Sequence, residues 1–250
     1  MKEKFPEEGF KQTEHFATTR WSVVLRAGGE PSAEAQAALV WLCENYWYPL
    51  YAYVRRKGHS AEEAPDLTQA FFAQLLEKNN LRVADPAKGK FRAFLLSSLS
   101  HFLANEWDKV RAQKRGGGKA PLRLDQQDAE QRYGLEPTHN LTPEKLFERR
   151  WALTVLDRVL AQLEEDLRSS GKAAHFEILK AHLMQSAEDE SYAQAAEKLG
   201  MSTGAVKVAI HRLRRRYRDL LKAEIGGTVA HPNRPEEIEA EIRDLFAALQ

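Results

Sequence analysis

An all-α chain is what the sequence predicts: two small helical domains joined by a flexible linker, the second containing a helix-turn-helix. Three observations predict it. Apolar residues recur at helical spacing in every long segment, and no segment of useful length alternates with the period of a strand. Residues 191–216 (SYAQAAEKLGMSTGAVKVAIHRLRRR) carry the punctuation of two short helices joined by a tight turn. Ser191 and Gln194 have the spacing of a capping box, Gly200 stands where a left-handed stop is needed, and Ser202 can cap the next helix. Val206, Ile210, Leu213 and Tyr217 make one apolar stripe, while Lys207, His211, Arg212, Arg214, Arg215 and Arg218 occupy the other faces. Such a helix suits the major groove of DNA, with its first turns near base edges and its later arginines near phosphates. The plainer alternative is a solvated basic helix packed on a neighbour.

With 250 residues, 43% of them apolar and 29% charged, the chain has the composition of an ordinary globular protein and room for one large or two small domains. The net charge of +1 conceals an uneven distribution: residues 109–123 and 207–222 are basic, whereas 125–136 and 236–244 are largely acidic. One cysteine, Cys43, excludes an internal disulfide and a multi-cysteine metal site, and fits a core position in a reducing compartment. The leader has no apolar h-region and nowhere do eighteen apolar residues run together, so neither a signal peptide nor a membrane span is expected and the chain is placed in the cytoplasm. Eight histidines form no His-x-x-x-His pair, and Gly116 to Gly118 follow a helix rather than a strand. No enzyme, cofactor or metal is expected.

In chain order, residues 1–31 form an N-terminal arm. Ser32 caps a helix whose apolar positions Leu39, Leu42, Cys43 and Tyr46 continue through Trp47, Leu50, Tyr51 and Val54, with Pro49 expected to kink or divide it and Gly58 to end it. A second helix, capped reciprocally by Ser60 and Glu63, carries Leu67, Phe71, Phe72, Leu75 and Leu76 toward a core. A third, over 91–114, keeps Leu95 or Leu96, Leu99, Phe102 or Leu103, Trp107 and Val110 on one stripe and His101, Asn105 and Lys109 on another. Residues 116–141 read as a linker too long and too charged to pack, which sets the first domain at 32–115 and the second at 142–225. Thr142 and Pro143 restart the chain as N-cap and first helical residue, ahead of a helix with Trp151, Val155, Val159 and Leu163 on one side. Residues 226–250 are an extension whose acidic amphipathic helix groups Ile238, Ile242, Leu245, Phe246 and Leu249.

Residues 46–69 (YWYPLYAYVRRKGHSAEEAPDLTQ), then the aromatic helix over 91–115, a linker and a C-terminal helix-turn-helix together resemble the bacterial RNA polymerase sigma factors of the extracytoplasmic-function (ECF) group, in a variant with a C-terminal extension. The resemblance runs over roughly residues 39–224. The tetrad Asp66-Leu67-Thr68-Gln69 before Phe72 is similar to that family's polymerase-clamp-binding helix, and residues 192–217 are similar to its promoter-reading motif. This implies binding to core RNA polymerase through Asp66, Gln69 and Phe72. It implies capture and opening of the minus-ten element of promoter DNA by His101, Asn105, Trp107, Lys109, Arg111, Lys114 and Arg115, residue types that can stack on unpaired bases and track a strand. It implies reading of the minus-thirty-five element by Ser202, Thr203, Lys207, His211, Arg212, Arg214 and Arg215. Trp107 also fits the apolar stripe, and Lys207 and Arg214 can meet either guanine edges or phosphates.

Ala70 and Pro65 stand where this family usually carries acidic residues, so the clamp-binding surface has lost negative charge. Phosphorylation of Thr68 would restore about two charges, which makes Thr68 a candidate switch beside the plainer reading of a surface threonine. Control by an anti-sigma protein or a Ser/Thr kinase is therefore expected among the partners. The apolar face of the C-terminal helix must be buried, on its own chain in preference to a partner. The rival to the sigma factor reading is a helix-turn-helix regulator that is not a polymerase subunit.

Overall fold

The computed structural model describes residues 32–77, 90–112, 126–135, 141–183, 189–226, 229 and 234–250. Among the described residues there are nine α-helices, one 3₁₀ turn at Lys180–His182 and no strand. The helices are α1 (Ala33–Arg56), α2 (Glu63–Glu77), α3 (Phe91–Ala112), α4 (Gln126–Gly134), α5 (Pro143–Ser169), α6 (Ala173–Leu179), α7 (Asp189–Leu199), α8 (Thr203–Gly226) and α9 (Pro235–Ala247).

Local chemistry sets most of these boundaries. Gly58, at φ 99°, follows the end of α1 in a conformation that a side chain would resist. Ser60 and Glu63 form the reciprocal box: each backbone N–H donates to the other's side-chain oxygen at 3.1 Å. Thr142 Oγ1 accepts from the Lys145 N–H at 3.2 Å, ahead of Pro143 at the first position of α5. Pro49 does not divide α1, which runs unbroken through it. One turn earlier, the buried Asn45 amide donates to the Trp41 carbonyl at 2.6 Å.

The core is centred on the second half of α1. Residues 45–47 and 49–54 are all buried, so this half of the helix is enclosed on every side rather than along one stripe. Its most extensive neighbour is α5, followed by α2, with α4 adding a smaller contact. From α5 the side chains of Phe147, Trp151, Val155, Val159 and Leu163 join the same cluster, as do Leu95, Leu99 and Phe102 of α3 and Val206, Ile210, Leu213 and Tyr217 of α8. Elements on both sides of residues 116–141 thus share one continuous apolar core. Cys43 is half-buried, and its thiol is pushed up to about 11 by burial and by the charge of Glu44, as suits a packing residue rather than a reactive one.

The polar stretch expected to be unpacked differs from that expectation in its second half, where α4 docks on α1. Ala129 is buried. The Glu130 carboxylate accepts from Arg55 Nε at 3.0 Å and Nη2 at 2.8 Å, and also from the Tyr51 hydroxyl. Tyr133 meets Tyr51 edge-on, with the Arg55 guanidinium 4.8 Å from the Tyr133 ring centroid. A two-pronged ion pair backed by a phenol needs little apolar surface, so a segment without hydrophobic periodicity still acquires a fixed place.

These contacts define a pH dependence. The bonds from Arg55, followed by that from Tyr51, hold Glu130 below the usual carboxylate range, so the stabilisation is complete above the unfolded value of about 4.3 and is lost as pH falls through the lowered folded value. Near-ultraviolet dichroism of the Tyr51–Tyr133 contact should therefore be unchanged between about pH 7 and pH 5 and decline only below about pH 4. In Glu130→Gln the signal should already be reduced at neutral pH.

Candidate nucleic-acid interface

Helices α7 and α8 meet through a turn whose geometry is set by three residues. Gly200 adopts φ 64°; the Met201 N–H bonds back to the Ala196 carbonyl at 3.0 Å and the Gly200 N–H to that of Glu197 at 3.3 Å, the paired closure of a Schellman stop. Ser202 Oγ then accepts from the Ala205 N–H at 3.2 Å and caps α8. The start of α7 differs from expectation. It begins at Asp189, so Ser191 lies within the helix and is not its N-cap.

Burial of Val206, Ile210, Leu213 and Tyr217 turns the opposite side of α8 outward. Two i, i+4 rows are exposed there, one of Thr203, Lys207, His211 and Arg215, the other of Gly204, Val208 and Arg212. The Lys207 ammonium lies 5.3 Å from the Tyr192 ring centroid, which braces it across the two helices. Val208, half-exposed among cations, was missed by the sequence reading; its place at i+4 from Gly204 and i−4 from Arg212 was the available signal.

Arg214 must be withdrawn from the base-reading set. It is only partly exposed, and its Nε and Nη2 donate to the His182 carbonyl at 3.0 and 2.7 Å. That interaction fixes α8 to the 3₁₀ turn that carries the buried His182. Arg216 is likewise directed to protein, reaching Asp166 of α5 at 2.8 Å.

On α3, His101 and Asn105 are exposed one turn apart, and Trp107, at 61% exposure, leaves the apolar stripe after Phe102. Lys109 and Arg111 lie in the last turns of α3 with side chains outside the described residues, and Lys114 and Arg115 lie outside them altogether. On α2, Asp66 is exposed and Gln69 half-buried, whereas Phe72 is a core residue at 5% exposure and not a surface contact. Thr68 corrects another expectation. It is fully buried, and its hydroxyl donates to the Ala64 carbonyl at 2.7 Å. A phosphate at that position would have to enter the core, so Thr68 is no accessible phosphoacceptor in this fold. The three expected groups thus stand on three different helices. Among the described residues no cluster of three or more His, Cys, Asp or Glu could hold a metal, and no helix is long and apolar enough to cross a membrane.

Three outcomes are expected. Gly200→Ala should destabilise the chain by about 1–2 kcal/mol in chemical denaturation: the space around an added Cβ is open, so the cost comes from the backbone alone. Lys207→Ala and Arg212→Ala should weaken duplex binding and, where the lost contact is to phosphate, lower the salt slope by about one each; Arg214→Ala should act mainly on thermal stability. Compared with known proteins, the chain matches no curated protein and no solved structure. Residues 183–216, which contain the turn and the two exposed rows, match the family model for sigma-70, region 4, so this segment is similar to the DNA-binding part of sigma factors.

Proposed function

We propose that the chain is an ECF-type sigma factor, which binds core RNA polymerase and directs it to promoters. The observation that carries this reading is the exposed, capped, two-row face of α8 lying within the region 4 match. In this reading Thr203, Lys207 and His211 face base edges, Arg212 and Arg215 face phosphates, and Ser202 sets the helix start from which these positions are counted. Val208 supplies an apolar surface of the kind that meets a thymine methyl. Trp107 is offered to unstacked bases of the minus-ten element, with His101 and Asn105 beside it and Lys109, Arg111, Lys114 and Arg115 assigned to the same strand. Asp66 and Gln69 are the polymerase contacts, and Phe72 supports them from the core. An anti-sigma protein stays a candidate controller, whereas burial of Thr68 removes that site from a kinase.

One observation favours the rival reading, a DNA-binding regulator that is not a polymerase subunit: the family match stops short of α1, α2 and α3. Transcription in vitro from a pool of genomic promoters, using sigma-free core polymerase, separates the two. The sigma factor reading predicts promoter-specific transcripts that fall at least about tenfold in Asp66→Ala, a loss of about 1.4 kcal/mol of polymerase binding. Specific duplex binding without any transcript would establish the regulator instead.

A further inference from the structure

Beside the outward row of α8 stands an aromatic ring that belongs to α7. Tyr192, in the first turn of α7, is half-buried. Its ring lies against the imidazole of His182, with centroids 5.6 Å apart and a tilt of 35°. His182 is buried at 6% exposure, and its carbonyl receives both bonds from Arg214. The ring is thus backed by a turn that α8 itself holds down, which gives it a fixed support. The same ring carries the Lys207 ammonium, 5.3 Å from its centroid. Lys207 is exposed, four residues after Thr203 and four before His211.

We propose that Tyr192 is a positioning residue for base readout: it restrains Lys207 so that the ammonium is presented to a base edge, and the chain's preference at one base pair depends on that contact. The inference rests on the DNA-reading role of α8. A lysine has a flexible four-carbon stem and a compact point charge, so an unrestrained lysine beside a duplex is drawn to the nearest phosphate whatever the sequence. An ammonium held at a ring keeps its three donors but loses most of its sweep, and part of the ordering that binding requires is complete before DNA arrives. The row in which Lys207 stands begins at the Ser202 cap, the end of such a helix that comes nearest the base edges. Of the two roles open to a lysine here, guanine edge or phosphate, the restraint favours the edge. Tyr192 touches no base in this role and acts through Lys207.

The test begins with selection from a random duplex pool by the full chain, alone and bound to sigma-free core polymerase. The enriched duplex is the probe, together with duplexes that change it one base pair at a time. Affinity for each is measured with the parent, Lys207→Ala, Tyr192→Leu, Tyr192→Phe and Tyr192→Leu/Lys207→Ala. The position at which Lys207→Ala flattens the preference marks the base pair that Lys207 reads. There Tyr192→Leu should reduce the parent's preference about two- to fivefold, the range of an exposed cation–π contact, and leave the other positions unchanged. Tyr192→Phe should match the parent, because the ring face carries the contact, and Tyr192→Leu should add nothing in the Lys207→Ala background. Circular dichroism checks helix content, and Tyr192→Met replaces Tyr192→Leu if that variant loses helix. An undiminished preference at that pair in Tyr192→Leu overturns the proposal. So does a loss spread evenly over all positions, which marks a merely structural ring, or an equal loss in Tyr192→Phe, which marks a hydroxyl on phosphate. If Lys207→Ala flattens no position, Lys207 serves phosphate and the proposal falls as well. A pool from which neither form of the parent enriches any sequence rejects the DNA-reading role of α8 itself, and the proposal with it.

Discussion

Enclosure of the second half of α1 is the constraint on which the rest depends. Buried residues 45–47 and 49–54 include Tyr46, Leu50 and Val54 on one side and Asn45, Pro49 and Ala52 on the other, so no single partner helix can cover them. α2 covers part, α4 part, and α5, from beyond the linker, the largest part. Because α5 is committed to α1 along their shared interface, everything that packs on α5 is carried with it, including the buried stripe of α8. The exposed rows of α8 therefore face outward as a consequence of packing that begins more than one hundred and fifty residues earlier in the chain. Polar ties at the edge of the same interface agree in register: Lys57 reaches Glu144 at 3.3 Å, and the Tyr53 hydroxyl reaches it at 3.4 Å.

How far this was readable depended on the kind of interaction involved. Helices held by an apolar stripe were read well, as Trp151, Val155, Val159 and Leu163 on α5 and Val206, Ile210, Leu213 and Tyr217 on α8 are all buried. Boundaries written in local chemistry, such as the Ser60–Glu63 box and the Gly200 stop, were also readable, because donor and acceptor are a few residues apart. Interactions between residues distant in sequence were not. α4 has no periodicity to betray it, since its docking rests on Glu130 meeting Arg55 and Tyr51. Nothing about Glu241 distinguishes it from its acidic neighbours until Lys90 and Arg92 are beside it.

The candidate site divides along the same line. Exposure of Thr203, Lys207, His211 and Arg212 follows from the stripe on the other side of α8, so these positions could be named in advance. Arg214 and Arg215 are adjacent and chemically identical, and only the position of the His182 carbonyl assigns one to the protein and leaves the other exposed. Thr68 shows the converse: a polar residue within a helix can be buried when its hydroxyl is satisfied by the carbonyl four residues back, and the sequence carries no sign of which threonines do this. Phe246 was grouped with the apolar face of α9 and is exposed, because Glu241 and Leu245 define a buried face rotated from the one read from apolar residues alone.

An electron cryomicroscopy reconstruction of the full chain with core RNA polymerase on a promoter duplex should show α8 in the major groove of the upstream element, with Lys207, His211 and Arg212 toward DNA, Arg214 still on the His182 carbonyl, and the Asp66 face of α2 against polymerase. A reconstruction in which the Lys207–Arg212 face of α8 lies against protein and makes no contact with DNA would contradict the sigma factor reading.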